Sequence, residues 1–328
     1  MTFPQSLPGS PVFLAPMAGV TDMPFRRLVE SFGASATVSE MVSSEALVRN
    51  NSKTRGRLVG SSSHLPNVVQ IFGSNPKNMA DAAKLNASLG ADALDINMGC
   101  PVRKIVSNDS GAALMKNEDL AVKIAESVVN AVDIPISVKM RLGWDAEHIN
   151  CFSLAKKFED VGVKMLTIHC RTRNQMYSGS ADWSAIAELK KIIRIPYICN
   201  GDIKTPEDAV TALRLSGSNG VMVGRGALGQ PWRLRQIMDF IQLQKRTAPP
   251  SLHEQLAVAL EHFRNTLDFY GEYRGLRVFR KHFCWYSNGL SSASRFREMV
   301  NRSDNVAFLE KIVKEFYEKQ FQESNNNL

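Results

Sequence analysis

The chain has 328 residues, 44% of them hydrophobic, more than one average domain and enough for a large barrel with an appendage. Forty lysines and arginines against 32 aspartates and glutamates give a formal net charge of +8, which favours a polyanionic partner. A membrane span is excluded because no stretch approaches the ~20 apolar residues required, and zinc is disfavoured because the five cysteines form no Cys-x-x-Cys pair and no His/Cys ligand spacing. The scattered odd set of thiols suits a reducing compartment. Met1–Pro16 carries no basic region followed by an apolar run, so no signal peptide is expected and the location is read as cytoplasmic.

In chain order, strands are predicted at Val12–Ala15, Ala36–Ser39, Val68–Phe72, Ala93–Asn97, Ile136–Met140, Met165–His169, Tyr197–Asn200 and Gly220–Val223. Helices are predicted at Pro76–Leu89, Asp119–Val132, Ile149–Val161, Trp183–Ile193 and Pro206–Leu215. Asn75 before Pro76 is a capping signal, as is Thr205 before Pro206 with Glu207 and Asp208 in the first turn. Eight strands, each followed by a helix or a helix-sized gap, predict an α/β fold, a (β/α)8 TIM barrel. A doubly wound open sheet is the main alternative on pattern alone. Arg246–Ser251 reads as a linker. Beyond it Leu256, Leu260, Phe263, Leu267 and Tyr270 step by three or four, so a C-terminal all-helical domain is expected, frayed at Glu323–Leu328. The expected division is a barrel at 1–245 and a helical domain at 251–328.

In such a barrel the active site lies at the C-terminal ends of the strands. Those ends carry Pro16, Met17 and Ala18, then Gln70, then Asn97 leading to Cys100, then Lys139 and Arg141, then His169 with Arg171 and Arg173, then Asn200-Gly201-Asp202, and finally Gly224-Arg225. Cys100 stands between Gly99 and Pro101, where a strand breaks into a loop. Lys139 lies in the apolar strand Ile136–Met140, and a lysine there needs a partner. Strand alternation puts Ser137, Lys139 and Arg141 on one face, the barrel interior. Gly224–Gly229 has the glycine spacing of a dinucleotide loop, but a Rossmann unit needs a further strand downstream, and that sequence is helical. Loops after the seventh and eighth strands bind phosphate in barrels, so Asn200–Asp202 and Gly224-Arg225 suit one phosphate-bearing cofactor. FMN meets these requirements chemically, with Gln70 and Lys139 as donors to the ring edge. A lysine Schiff-base lyase is the alternative that uses no flavin.

Ala15–Asp22, Asn97–Pro101, Asn200–Ile203 and Val223–Gly226 together resemble the tRNA-dihydrouridine synthase family, and Gly179–Trp183 with Arg225–Gly229 resembles its B-type bacterial subgroup most. The resemblance covers the barrel and extends through the helical tail. It implies an enzyme, an FMN-bearing barrel that reduces uridine to 5,6-dihydrouridine in tRNA, most simply in the D-loop, with NADPH reducing the flavin. A hydride then passes from flavin N5 to uracil C6, and a cysteine gives the proton to C5. Carried over by motif, Cys100 is that acid and Asn97 helps orient the uracil. Pro16, Met17, Ala18, Gln70, Lys139, His169, Asn200, Gly201, Asp202, Gly224 and Arg225 hold FMN. The division above then becomes an FMN-binding catalytic barrel and a helical tRNA-binding domain. Separately from the resemblance, a monomer that binds neither metal nor membrane is expected.

Helical spacing within Arg274–Tyr286 puts Arg274, Arg277 and Lys281 on one face and Leu276, Phe279, Phe283 and Tyr286 on the other. A basic face backed by a packing face suits RNA phosphates, as well as suiting an ordinary solvated helix. Arg103, Lys104, Arg141, Arg171 and Arg173 are expected to ring the barrel mouth and extend the positive track. Two other readings remain open: a dihydroorotate-type flavin barrel acting on a small molecule, and an RNA-binding protein without catalysis.

Overall fold

Runs whose outward face is apolar throughout and whose inward face mostly begins apolar suit the strands of a parallel sheet wrapped in helices. In the computed structural model, which describes residues 9–48 and 65–325, these runs form β1 (Val12–Leu14), β2 (Ala36–Thr37), β3 (Val42–Ser43), β4 (Val68–Phe72), β5 (Ala93–Met98), β6 (Ile136–Arg141), β7 (Met165–His169), β8 (Tyr197–Asn200) and β9 (Gly220–Val223). All pairings are parallel, in the order β2-β1-β9-β8-β7-β6-β5-β4-β3. A parallel bridge between Val38 and Val68 joins the two ends, and the Ser39 amide donates to the Val68 carbonyl at 3.0 Å. The sheet is therefore closed, a (β/α)8 barrel, and the open doubly wound alternative falls. The expected second strand, Ala36–Ser39, divides between β2 and this bridge, and Val42–Ser43 pairs with β4 as a short extra strand.

Alternation along the strands builds the barrel interior in layers. Phe13, Val38, Val68, Ala93, Met165, Ile198 and Met222 form an apolar cluster distinct from the one under the helices. Two residues further along the same strands the interior turns polar: Gln70 after Val68, Asp95 after Ala93, Thr167 after Met165, Asn200 after Ile198. The apolar layer seals the barrel, and the polar layer becomes the floor of the site.

The outer helices begin where the capping residues predict. Asn75 Oδ1 accepts from the Asn78 amide at 3.0 Å, and Thr205 and Asp208 form a reciprocal capping box at Pro206–Ser216. The expected helix over 183–193 is instead a 3-10 turn, Trp183–Ile186, and a single α-turn, Leu189–Ile192. The two pieces are separated by a turn at Ala187 and Glu188, and Ile193 adopts extended backbone.

After the linker, four helices follow: Leu252–Tyr270, Glu272–Tyr286, Ala293–Arg302 and Val306–Asn325. They share a core of their own, in which Phe263, Phe279, Phe283 and Tyr317 are fully buried. Its contact with the barrel is aromatic. The ring of Phe25, on the helix Met23–Ser31, lies 5.3 Å from His262 and 5.5 Å from His282. Glu323–Asn325 still belong to the last helix; the remainder of the segment expected to fray, and the first eight residues of the N-terminal stretch, lie outside the described residues. No helix among the described residues is long and apolar enough to cross a membrane.

Candidate active site

A cavity of about 440 Å³ opens at the C-terminal ends of the strands. Pro16, Met17 and Ala18 border it on the β1 side. Gln70, Lys139, His169 and Asn200 face it from the strands, and Gly201, Asp202, Gly224 and Arg225 from the last two loops. Asn97, Cys100 and Arg141 complete the wall. These residues, scattered over two hundred positions of sequence, meet because barrel strands end side by side.

The thiol is held by its own turn. Asn97 Oδ1 accepts from the Cys100 amide at 2.9 Å and the Gly99 amide at 3.2 Å, while Asn97 Nδ2 donates to Gln70 Oε1 at 2.8 Å. Asn97 lines the cavity, and its side-chain amide also shapes the thiol loop. On the far side Gly111, at φ +62°, packs so closely that a Cβ would lie 2.8 Å from the Cys100 carbonyl oxygen. Burial pushes the Cys100 thiol up from its ordinary range, more than Arg141 and Lys139 pull it down. At neutral pH it holds its proton.

The floor is cationic but restrained. Lys139 Nζ donates to Asn200 Oδ1 at 3.0 Å. Burial, reinforced by Arg141, lowers its ammonium to about 8, with Asp95 opposing. Burial and then the surrounding cations, Lys139 foremost, keep His169 neutral, and its Nδ1 has no partner. Arg141 is 2% exposed and donates to the Gly99, Thr172 and Met176 carbonyls, so it ties the thiol loop to the loop after β7.

Asp202 takes a left-handed backbone, φ +52°, unusual for a non-glycine residue. Its carboxylate accepts from Arg171, from the Ala181 amide at 3.0 Å and from Arg225 at 3.3 Å. Burial disfavours its charge, but the Arg171 and Ala181 hydrogen bonds outweigh it and hold the carboxyl below the ordinary range. The Trp183 indole pins the Gly201 carbonyl at 2.8 Å. Asp202 thus aims Arg225 and fixes the loop.

Two expectations need correction. Arg171 does not ring the mouth: it is 1% exposed, absent from the cavity wall, and committed to Asp202 and the Ser178 and Gly179 carbonyls. Lys281 is not on the free basic face with Arg274 and Arg277. Its ammonium donates to the Gly19 carbonyl, in the β1 loop whose Ala18 and Val20 line the cavity. Arg274 and Arg277 are exposed, 4.8 Å and 3.6 Å from the rings of Tyr270 and Tyr273. Leu276, Phe279, Phe283 and Tyr286 are buried.

Sequence reasoning missed Tyr177. It stands half-exposed in the cavity wall, its ring 4.9 Å from the Arg225 guanidinium and 5.8 Å from that of Arg141. It belongs to no strand, and nothing local marks it; only the folded loop brings it to the site.

The chain matches a family model described as dihydrouridine synthase over residues 13–324. It is 47% identical over 310 residues to a probable tRNA-dihydrouridine synthase of Rickettsia conorii, covering 94% of this chain and 93% of that protein. It is 41% identical to tRNA-dihydrouridine synthase B of Pseudomonas aeruginosa, covering 91% and 90%. Among solved structures, histamine dehydrogenase from Rhizobium sp. 4-9 superposes with a TM-score of 0.53 at 11% identity, over 77% of this chain and 48% of that one, a likeness of fold. With its model matched almost end to end and relatives this similar along the whole length, the chain belongs to the dihydrouridine synthase family.

Proposed function

We propose that this protein reduces uridine to 5,6-dihydrouridine in tRNA, with FMN as resident cofactor, NADPH as electron donor and Cys100 as the acid. The observation that carries the reading is a thiol kept protonated in the wall of a cavity whose other walls suit a phosphate-bearing flavin. The cavity volume falls within the range of small-molecule sites. His169 Nδ1 is buried and unpartnered among the described residues, so it is placed to take a hydrogen bond from a ligand. Among the described residues Lys139 meets a neutral amide oxygen by hydrogen bond, leaving its charge for an electron-rich ring edge. Gly224 lets a ligand approach the backbone, and the half-exposed Arg225 offers a cation to a phosphate. Pro16, Met17, Ala18, Gln70, Asn200 and Gly201 would complete the flavin cradle, with Asp202 holding Arg225 in place.

The chemistry a bound FMN supplies, once reduced by NADPH, is hydride donation to C6 of the uracil. Cys100 gives the proton to C5, so one hydride and one proton saturate the double bond. The thiol suits this task because it is still protonated at working pH. Asn97 keeps it in place, and Arg141 borders the cavity where a uracil carbonyl would need a donor. Tyr177 offers a ring for the base to stack on. The base must leave its stack to enter, which costs least from an unpaired loop, and the D-loop fits that condition. The exposed Arg274 and Arg277 would hold tRNA phosphates, making the helical tail the RNA-binding part. A tRNA substrate and the reduced thiols both suit the cytoplasm.

The test is mass-spectrometric mapping of dihydrouridine in tRNA from cells with and without this gene. Loss of dihydrouridine at one or more positions, restored by the gene, is the expected result. An unchanged map, in cells with no second such gene, would overturn it.

A further inference from the structure

Asp95 lies on β5 two residues before Asn97 and is used by none of the roles above. It is 3% exposed, at a depth where the next layer down is apolar. Its carboxylate accepts from Ser137 Oγ at 2.7 Å and Gln70 Nε2 at 2.6 Å. Gln70 Oε1 accepts from Asn97 Nδ2, and Asn97 Oδ1 accepts from the Gly99 and Cys100 amides. The thiol-loop end of this series has fixed polarity. Backbone amides only donate, so Asn97 Oδ1 must face them, its Nδ2 then donates to Gln70 Oε1, and Gln70 Nε2 is left to donate to the Asp95 carboxyl oxygen. An apolar residue at position 95 would leave Gln70 Nε2 without its partner and free its amide to turn. Asn97 would then lose the fixed acceptor that holds it against the thiol loop.

We propose that Asp95 is a positioning residue, whose carboxylate anchors, through Gln70 and Asn97, the turn that presents the Cys100 thiol to the cavity. Its value for catalysis rests on the reading of Cys100 given above, but the positioning is measured on the thiol itself. Burial dominates the environment of Asp95 and raises its pKa; Gln70, Ser137 and the field of Lys139 oppose that rise and favour the charged, accepting form.

The experiment is alkylation of Cys100 by iodoacetamide in the purified protein. A Cys284→Ser background removes the other half-buried thiol, and Cys151, Cys170 and Cys199 are buried. Asp95→Leu and Gln70→Leu cut the series at successive links. Each is expected to speed alkylation about tenfold, the scale of one hydrogen bond to a charged group. Because the links act in series, the double variant should react no faster than either single one. Asp95→Asn keeps an acceptor for Gln70 and should stay within about threefold of the parent. If Asp95→Leu does not fold, the same cycle is run with Asp95→Asn, whose smaller effect should vanish in the Gln70→Leu background. Additive effects, or an unchanged thiol in Gln70→Leu, would overturn the proposal. Uridine reduction by Cys100→Ala tests the catalytic reading separately, since alkylation rates do not depend on turnover.

Discussion

Gly111→Ala should damage this protein twice, and a second glycine separates the two effects. Gly111 and Gly90 both have positive φ, +62° and +88°. An added Cβ at Gly90 meets nothing within 4 Å, whereas at Gly111 it meets the Cys100 carbonyl oxygen at 2.8 Å and Ile105 Cγ2 at 2.9 Å. The left-handed backbone alone costs an alanine about 1–2 kcal/mol. Overpacking against Cys100 adds about 1–3 kcal/mol and strains the Ala112 amide bond to the Cys100 carbonyl, now 3.0 Å. Gly90→Ala should therefore lower the melting temperature by roughly 2–5 °C and Gly111→Ala by roughly 5–10 °C. The larger difference is functional. A reacting group displaced by ~1 Å loses about a hundredfold in rate, so Gly111→Ala should slow single-turnover uridine reduction by that order while Gly90→Ala leaves it alone. Thermal unfolding and single-turnover assays on both variants decide it. Equal melting shifts with normal uridine reduction in Gly111→Ala would refute the close packing at Cys100.

Arg274→Glu with Arg277→Glu should weaken tRNA binding and reduce the slope of log affinity against log salt by about 0.7–0.9 per lost phosphate contact, with NADPH oxidation unchanged; filter binding at several salt concentrations reads both. Asp202→Ala leaves the buried Arg171 guanidinium without its carboxylate and should cost about 3 kcal/mol at neutral pH. Because the Asp202 carboxyl is held below its ordinary range, that stability is present above the usual carboxylate pKa and is lost as pH falls through the depressed one. Denaturant titrations of Asp202→Ala and its parent should therefore converge in acid. Lys139, with its ammonium lowered to about 8, is charged below that pH. FMN affinity, followed by fluorescence, should fall as pH rises past it, and Lys139→Met should bind weakly with no such inflection.

The strands were legible because a barrel strand is a short apolar run whose interior alternation shows in the sequence. The lining of the cavity was legible for the same reason: Gln70, Lys139, His169 and Asn200 are polar residues placed where such runs end. Asp95 was passed over although it lies in the same run as Asn97. Its importance lies in partners 25 and 42 residues away, Gln70 and Ser137, and no local pattern encodes those. Arg171 and Lys281 were misplaced because charge and helical spacing report that a cation exists, not whether a carboxylate or carbonyl already holds it. Gly111 and Tyr177 became visible only when loops from separate strands came together.

The most direct measurement is single-turnover reduction of unmodified tRNA by Cys100→Ala, with flavin content and NADPH-driven flavin reduction recorded on the same sample. Removal of the general acid should slow uridine reduction by about 10²–10⁴-fold, while the protein keeps its yellow colour and is still reduced by NADPH. Dihydrouridine formation at the parental rate in that variant would contradict the assignment of Cys100 as the proton donor.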